Sequence, residues 1–191
     1  AYTTIDKPSD YFNTKLYTGT GSSNAVTGVG FQPDWVWIKN RDQADEHDIY
    51  DAVRGATKKI SSNNSDAEVT QSNGLSAFGS DGFTVVNSNA TNINNEKYAS
   101  WNWKAGTSFT NDASATGIGS IDSTGSVNTT SGFSIISYTA TGSAETIAHG
   151  LGTTPSFIIT KRRNGADSWF VWNKTFSATQ YLSMDTTNAV G

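Results

Sequence analysis

The densest group of chemistry-bearing side chains is Asp42, Asp45, Glu46, His47, Asp48 and Asp51. Clustered carboxylates beside an imidazole are the raw material of a cation site. Calcium needs several oxygens converging in one loop, usually with a glycine to bend it. Zinc needs Cys or His at tetrahedral spacings. Neither pattern is present, so a solvated hairpin tip is the expected state of this loop, and no metal or cofactor is expected. If the loop acts, Asp42, Asp45, Glu46 and His47 are the residues expected to contact a partner.

Nucleophilic chemistry finds no foothold. The chain has no cysteine, and His47 and His149 have no Gly-x-Ser-x-Gly elbow to serve. Gly28-Val29-Gly30, Gly117-Ile118-Gly119 and Gly150-Leu151-Gly152 each lack the third glycine and the following helix of a phosphate cradle, so they read as turns. Glycoside hydrolysis would need two carboxylates facing each other across a groove, and no spacing pairs them. No catalytic residue is expected. The tryptophans offer a different chemistry, stacking on sugars: Trp35 and Trp37 share one strand face, Trp101 and Trp103 share another, and Trp169 and Trp172 straddle theirs. Large aromatics fill cores more often than they form platforms, and a core role is expected.

The elements that must position these groups are strands. Hydrophobic content is 35% and aromatic content 12%, in a chain rich in Gly, Ser, Thr and Asn. That mixture suits pleated, half-buried surfaces joined by tight turns. No window carries the apolar stripe and caps of a helix. Short strands are expected at 14–18, 34–39, 47–53, 58–61, 83–86, 98–104 and 168–172, with 25–30 leading into the strand at 34–39, a polar loop over 62–73, room for a short edge strand within 105–130, and 131–138 opening a second unit. Tyr98 to Lys104 alternates strictly, which predicts one buried face carrying Ala99, Trp101 and Trp103. The expected fold is all-β: an antiparallel β-sandwich of jelly-roll, lectin-like form, with a β-barrel as the alternative.

One sentence is written twice. Gly30-Phe31-Gln32-Pro33-Asp34-Trp35-Val36-Trp37-Ile38-Lys39-Asn40-Arg41 returns, altered, as Gly152-Thr153-Thr154-Pro155-Ser156-Phe157-Ile158-Ile159-Thr160-Lys161-Arg162-Arg163. Each copy sets a proline before a short apolar run, where the missing N–H does no harm. Tyr17-Thr18-Gly19 is echoed by Tyr138-Thr139-Ala140, and Ile60-Ser61 by Leu182-Ser183. A period of about 120 residues is domain-sized and too long for a solenoid. The expected organisation is an arm at 1–13, a first sandwich unit at 14–105, a Gly/Ser/Thr-rich linker at 106–130 and a second, incomplete unit at 131–191. That unit stops before any counterpart of Gly74 to Gly106, so the chain is expected to be cut short or completed by a partner subunit.

The net charge of -4 leaves no basic face for general nucleic-acid binding. No span has the length of a membrane helix, and membrane insertion is not expected.

The ordered motifs Gly30 to Arg41, Val53-Arg54-Gly55-Ala56-Thr57-Lys58, Asp81-Gly82-Phe83-Thr84-Val85 and Tyr98-Ala99-Ser100-Trp101-Asn102-Trp103-Lys104-Ala105-Gly106 are specific. With Gly132-Phe133-Ser134-Ile135, His149-Gly150-Leu151-Gly152 and Lys161-Arg162-Arg163-Asn164 they resemble a repeated domain of marine tailed-bacteriophage virion proteins. The resemblance covers nearly the whole chain after residue 10. It implies a non-enzymatic structural protein of the virion, an extracellular particle: a tail fibre, appendage or capsid-surface decoration. It also implies assembly with other virion subunits as a homo-oligomer, and adhesion to host-surface glycans. The alternative expectation is an extracellular carbohydrate-binding module.

Overall fold

The computed structural model describes residues 5–191, so residues 1–4 of the expected arm lie outside the described range. Pro8–Asp10 makes a 3-10 turn. The first strands are β1 (Phe12–Thr18), β2 (Asn24–Thr27), β3 (Trp35–Asn40), β4 (His47–Asp51), β5 (Lys58–Ser61), β6 (Val69–Thr70), β7 (Leu75–Gly79), β8 (Gly82–Val85) and β9 (Lys97–Trp103). There follow β10 (Thr107–Asn111), one helical turn α1 (Ala113–Thr116), β11 (Ser123–Asn128), β12 (Phe133–Tyr138), β13 (Phe157–Thr160), β14 (Phe170–Asn173) and β15 (Leu182–Ser183).

The first nine strands form two antiparallel sheets, β1-β9-β3-β4-β5-β6 and β2-β8-β7. Val26, Val36, Ile38, Tyr50, Leu75, Phe83, Val85 and Tyr98 fill the space between them, and the result is a β-sandwich. The outer pairs are nested, β1 with β9 in one sheet and β2 with β8 in the other, which is how a jelly roll winds; β3 to β6 then run as a meander. Pro33 precedes β3, and Asp34 N–H donates to Trp103 O at 2.8 Å to begin the ladder.

The duplication is visible in the hydrogen-bond register. In the first copy Trp35 faces Asp51, Trp37 faces Ile49, and Ile49 faces Ile60. In the second, Phe157 faces Asn173, Ile159 faces Val171, and Val171 faces Leu182. Every pair is the repeat of the other, so β13-β14-β15 reproduces β3-β4-β5.

The copies also pack on each other by equivalent faces. Trp35, Trp37, Ile49 and Ile60, on the outer side of the large sheet, meet Ile159, Trp169 and Met184. Trp169 Nε1 donates to Ser61 O at 2.9 Å. Phe133 of β12 lies against Trp35 and Trp103, with ring centroids 6.5 and 6.3 Å apart. Arg163 grips Glu68 with two hydrogen bonds of 2.9 Å, and Glu68 continues to the buried Arg54 and Asp51.

Three expectations change. The segment expected as a linker, 106–130, carries β10 and β11, paired to each other and to β12. Its Thr, Ser and Asn residues form strand because Phe109 closes over Gly125, where an added Cβ would sit 2.7 Å from the ring, and Val127 and Ile135 supply a small core. The loop expected at 62–73 contains β6, and the strand β7 was not foreshadowed. Strand β9 is covered on both sides, and its polar side is the more buried. Ser100 and Asn102 lie inside the sandwich, where Asn102 Nδ2 donates to Asn13 O at 3.0 Å and to Ser100 Oγ at 3.1 Å.

Leu75 is fully buried between the sheets, whereas Ile158, at the repeat position of Val36, is 39% exposed. Leu75→Ala is expected to cost about 2–5 kcal/mol in urea unfolding. Ile158→Ala is expected to cost about 1 kcal/mol or less.

Candidate functional site

Strands β3 and β4 are joined by residues 41–46, and strands β8 and β9 by residues 86–96. A polar cleft opens between these two connections. One lobe of about 480 Å³ is lined by Asp45, Glu46, Lys59, Gln71, Asn73 and Asn89, among others. A second lobe of about 410 Å³ is lined by Asp45, Asn89 and Glu96. Ala44, Asp45 and Asn89 belong to both.

One buried amide holds the two walls. Asn40, at the end of β3, shares its Nδ2 hydrogens among Asp45 Oδ2 (2.8 Å), Glu96 Oε2 (2.5 Å) and the Asn89 carbonyl (3.1 Å). Its Oδ1 accepts from the backbone N–H groups of Asp42 and Gln43. Tyr98 reinforces the far wall by donating to Asn89 O at 2.9 Å and accepting from Ile93 N–H at 2.8 Å. The Asp42 carboxylate accepts from Lys97 N–H at 2.8 Å. The loop is therefore pinned through Asp42 and Asp45, while its tip, residues 41–44, stays exposed to solvent. The tie between β3 and the 86–96 connection draws Asp45 and Glu46 inward.

Under the cleft, Lys59 serves two carboxylates, Glu46 at 2.5 Å and Asp48 at 3.2 Å. The Lys59 hydrogen bond, with those of Ser61 and Asn64, holds Glu46 below the ordinary carboxylate range against its partial burial. Asp48 is fully buried. Loss of water pushes its pKa up to about 6, with Lys59 opposing the rise. The Tyr50 hydroxyl donates to Asp48 Oδ2 at 3.2 Å; burial, with the Asp48 charge, holds that phenol far above its usual value. Burial draws Lys59 down, but Asp48 and Glu46 outweigh it and keep the ammonium above its usual range.

Of the four loop residues singled out from sequence, Asp45 and Glu46 line the cleft, Asp42 fastens the loop to Lys97, and His47 does not join them. His47 falls on the same side of β4 as Ile49, away from the cleft. Burial and the charge of Lys39 lower its imidazole pKa. Lys59, Gln71, Asn73, Asn89 and Glu96 were not anticipated; they reach the cleft from connections far apart in the chain. Among the described residues no group of three or more His, Asp or Glu side chains converges as a metal site would.

The cleft thus offers carboxyl oxygens fixed by the chain's own donors, with amides and one ammonium beside them. Such a surface matches the alternating donors and acceptors of a polyhydroxylated ligand. Asp48, whose pKa is raised, lies beneath the floor and cannot touch a ligand.

A carboxyl raised on folding stabilises the fold fully below its unfolded pKa of about 4, and the contribution is lost as pH rises through about 6. Asp48→Asn is therefore expected to match the parent protein near pH 4. At pH 7 it should exceed it by about 1–3 kcal/mol in urea unfolding. A constant difference between the two across that window would show that Asp48 does not titrate there.

Over residues 7–191 the chain matches a family described as a domain of unknown function, DUF7483. No curated protein and no solved structure matches it.

Proposed function

The chain belongs to that family, and from this premise we propose that it is a non-enzymatic structural module of a tailed-phage virion, a tail fibre, appendage or capsid-surface decoration. In this reading it assembles with copies of itself and other virion subunits and holds host-surface glycans in the cleft at Asp45 and Asn89. The observation that carries the reading is the like-face packing of the repeated sheet, β13-β14-β15, on β3-β4-β5. Stacked copies of one sheet, locked by the Arg163–Glu68–Arg54–Asp51 chain of charges, build rigid mass and hold loops at fixed separations. Rigid, repeated presentation converts weak single contacts into avidity. The resemblance of the motifs to phage virion domains supports the particle, and the polar cleft supports the glycan.

Acid–base catalysis is disfavoured because the cleft carboxylates are already engaged by Lys59 and Asn40. The carbohydrate-binding module with an aromatic platform is disfavoured as well. Trp35 and Trp37 lie under the second copy and Trp169 is buried, so no coplanar exposed pair is formed there.

Antibodies raised against the folded chain are expected to decorate intact phage particles in electron micrographs; labelling confined to lysed cells would refute the virion assignment. Oligosaccharides from the host's surface polysaccharide, immobilised, should retain the chain. Asp45→Ala with Asn89→Ala should weaken retention about tenfold or more, since a hydrogen bond to a charged group contributes about 1.5–3 kcal/mol. Release of reducing ends by the unaltered chain would contradict the non-enzymatic reading.

A further inference from the structure

The register sets Asp48 opposite Ser61 and Ile49 opposite Ile60. Lys59 therefore stands one diagonal step from Asp48, on the same inward side of β4 and β5. Its Nζ lies 3.2 Å from Asp48 Oδ1 and 2.5 Å from Glu46 Oε2. The contact with Asp48 is close without being a hydrogen bond: Oδ1 is buried, and among the described residues no donor is aligned on it. Asp48 Oδ2 accepts from the Tyr50 hydroxyl at 3.2 Å. Glu46 is held in place by Ser61 Oγ at 2.8 Å and Asn64 Nδ2 at 2.9 Å. An amine, a fully buried carboxyl and a second carboxyl touching the amine thus meet at one point.

We propose that Lys59 and Asp48 join in an intramolecular amide bond, with Glu46 carrying the protons. Glu46 takes one proton from the Lys59 ammonium and hands it to Asp48 Oδ1, which leaves a neutral amine beside a neutral carboxylic acid. The amine lone pair attacks Asp48 Cγ, and the Tyr50 hydroxyl supports the charge gathering on Oδ2. Glu46 moves a second proton from the nitrogen to Oδ1. The Cγ–Oδ1 bond breaks, Oδ1 departs as water, and Oδ2 remains as the amide carbonyl oxygen. Two of the three ammonium protons leave with that water, and Glu46 ends as it began. The polar cleft reaches both Glu46 and Lys59, so the water has a way out.

Groups held about 3–3.5 Å apart have already met the entropic cost of encounter. The burial that pushes the Asp48 pKa up to about 6 helps the first step, because one proton shift discharges both buried groups. The charges of Asp48 and Glu46 keep the ammonium above its usual range, so that shift sets the rate. The second copy shows that the backbone does not require these groups. In the same register it carries Phe170 for Asp48 and Tyr181 for Lys59, an aromatic pair with centroids 4.8 Å apart, and Ser168 for Glu46. The reaction occurs once per chain and turns over no substrate, so it depends on neither the virion nor the glycan reading. Only the unlinked form keeps a titrating Asp48, and the pH dependence expected of that group belongs to it.

After incubation of the folded 191-residue chain at neutral pH, intact-mass spectrometry should read one water below the sequence mass. Tryptic digestion should give a branched peptide joining residues 42–54 to residues 59–97, with fragment ions placing the link at Asp48 and Lys59. Lys59→Met, which keeps the length but has no amine, should show its full sequence mass. So should Glu46→Gln, which keeps the size but cannot carry the proton, and unaltered near-ultraviolet circular dichroism would show both variants folded. The branched peptide is read in the unaltered chain, so the test stands even if a variant fails to fold. Full sequence mass in the unaltered chain would overturn the inference. A loss of water that persists in Lys59→Met would overturn it too, since it would then come from elsewhere, such as the Asp81-Gly82 step. Linkage in Glu46→Gln would strike Glu46 from the reaction. None of these outcomes touches glycan retention by Asp45 and Asn89.

Discussion

Strands β3 and β9 carry large side chains on both sides. Val36, Ile38 and Tyr98 point one way and Trp35, Trp37, Trp101 and Trp103 the other. A sheet so built must be covered twice. A fully covered tryptophan removes about 150–250 Å² from water, worth about 4–6 kcal/mol at about 25 cal/mol per Å². The inner cover is the β2-β8-β7 sheet, and the outer cover comes from the second copy. This need for a double cover makes the two copies one body and sets where loops, cleft and open face lie.

Apolar cover alone would let sheets slide, since hydrophobic contact has no direction. Directional pins fix the alignment: the Trp169 indole on Ser61 O and the Arg163 fork on Glu68. Glu68 illustrates the balance. Its burial raises the carboxyl pKa, yet Arg163 and Arg54 together more than reverse the rise and hold it ionised. The buried end of the chain, Arg54 with Asp51, adds hydrogen bonds from Arg54 to the carbonyls of Ile49 and Lys58, so neither charge is left unpaired where water is scarce. Rigidity of the stacked copies rests on these few polar contacts as much as on the tryptophans.

The strands that were legible in the sequence are those with a local signature. Proline before an apolar run marked β3, and the doubled sentence marked β13 before any coordinate. Where the signature was compositional it misled. The 106–130 segment looks like a linker because its bulky residues are sparse, yet pairing across Gly125 needs closeness of backbone and ring rather than bulk. Strand β9 reads as polar on the Ser100 and Asn102 side because alternation reports chemistry, not depth, and here the Asn102 amide N–H groups are satisfied inside the sandwich by Asn13 O and Ser100. The cleft was half legible. Asp45 and Glu46 stood out as acids in a row, but Asn40, Lys59 and Asn89 meet them only through the fold.

The repeat supplies its own comparison for what the cleft requires. Both copies keep the same register across three strands, so the backbone does not demand a particular residue under the loop. The first copy nonetheless places Asp48 and Lys59 there, and Asp48 loses its hydration to do so. The second fills the same two positions with Phe170 and Tyr181. Replacing a buried ion pair by well-packed apolar groups is often neutral or stabilising, so stability does not call for the charged version. What the charges do provide is a fixed Glu46, held ionised by Lys59 and presented to the cleft beside Asp45. The polar pair therefore belongs with the polar cleft above it, and the aromatic pair with a sheet face left partly exposed. Two copies of one architecture thus present two kinds of surface, separated by what lies at the positions of residues 48 and 59.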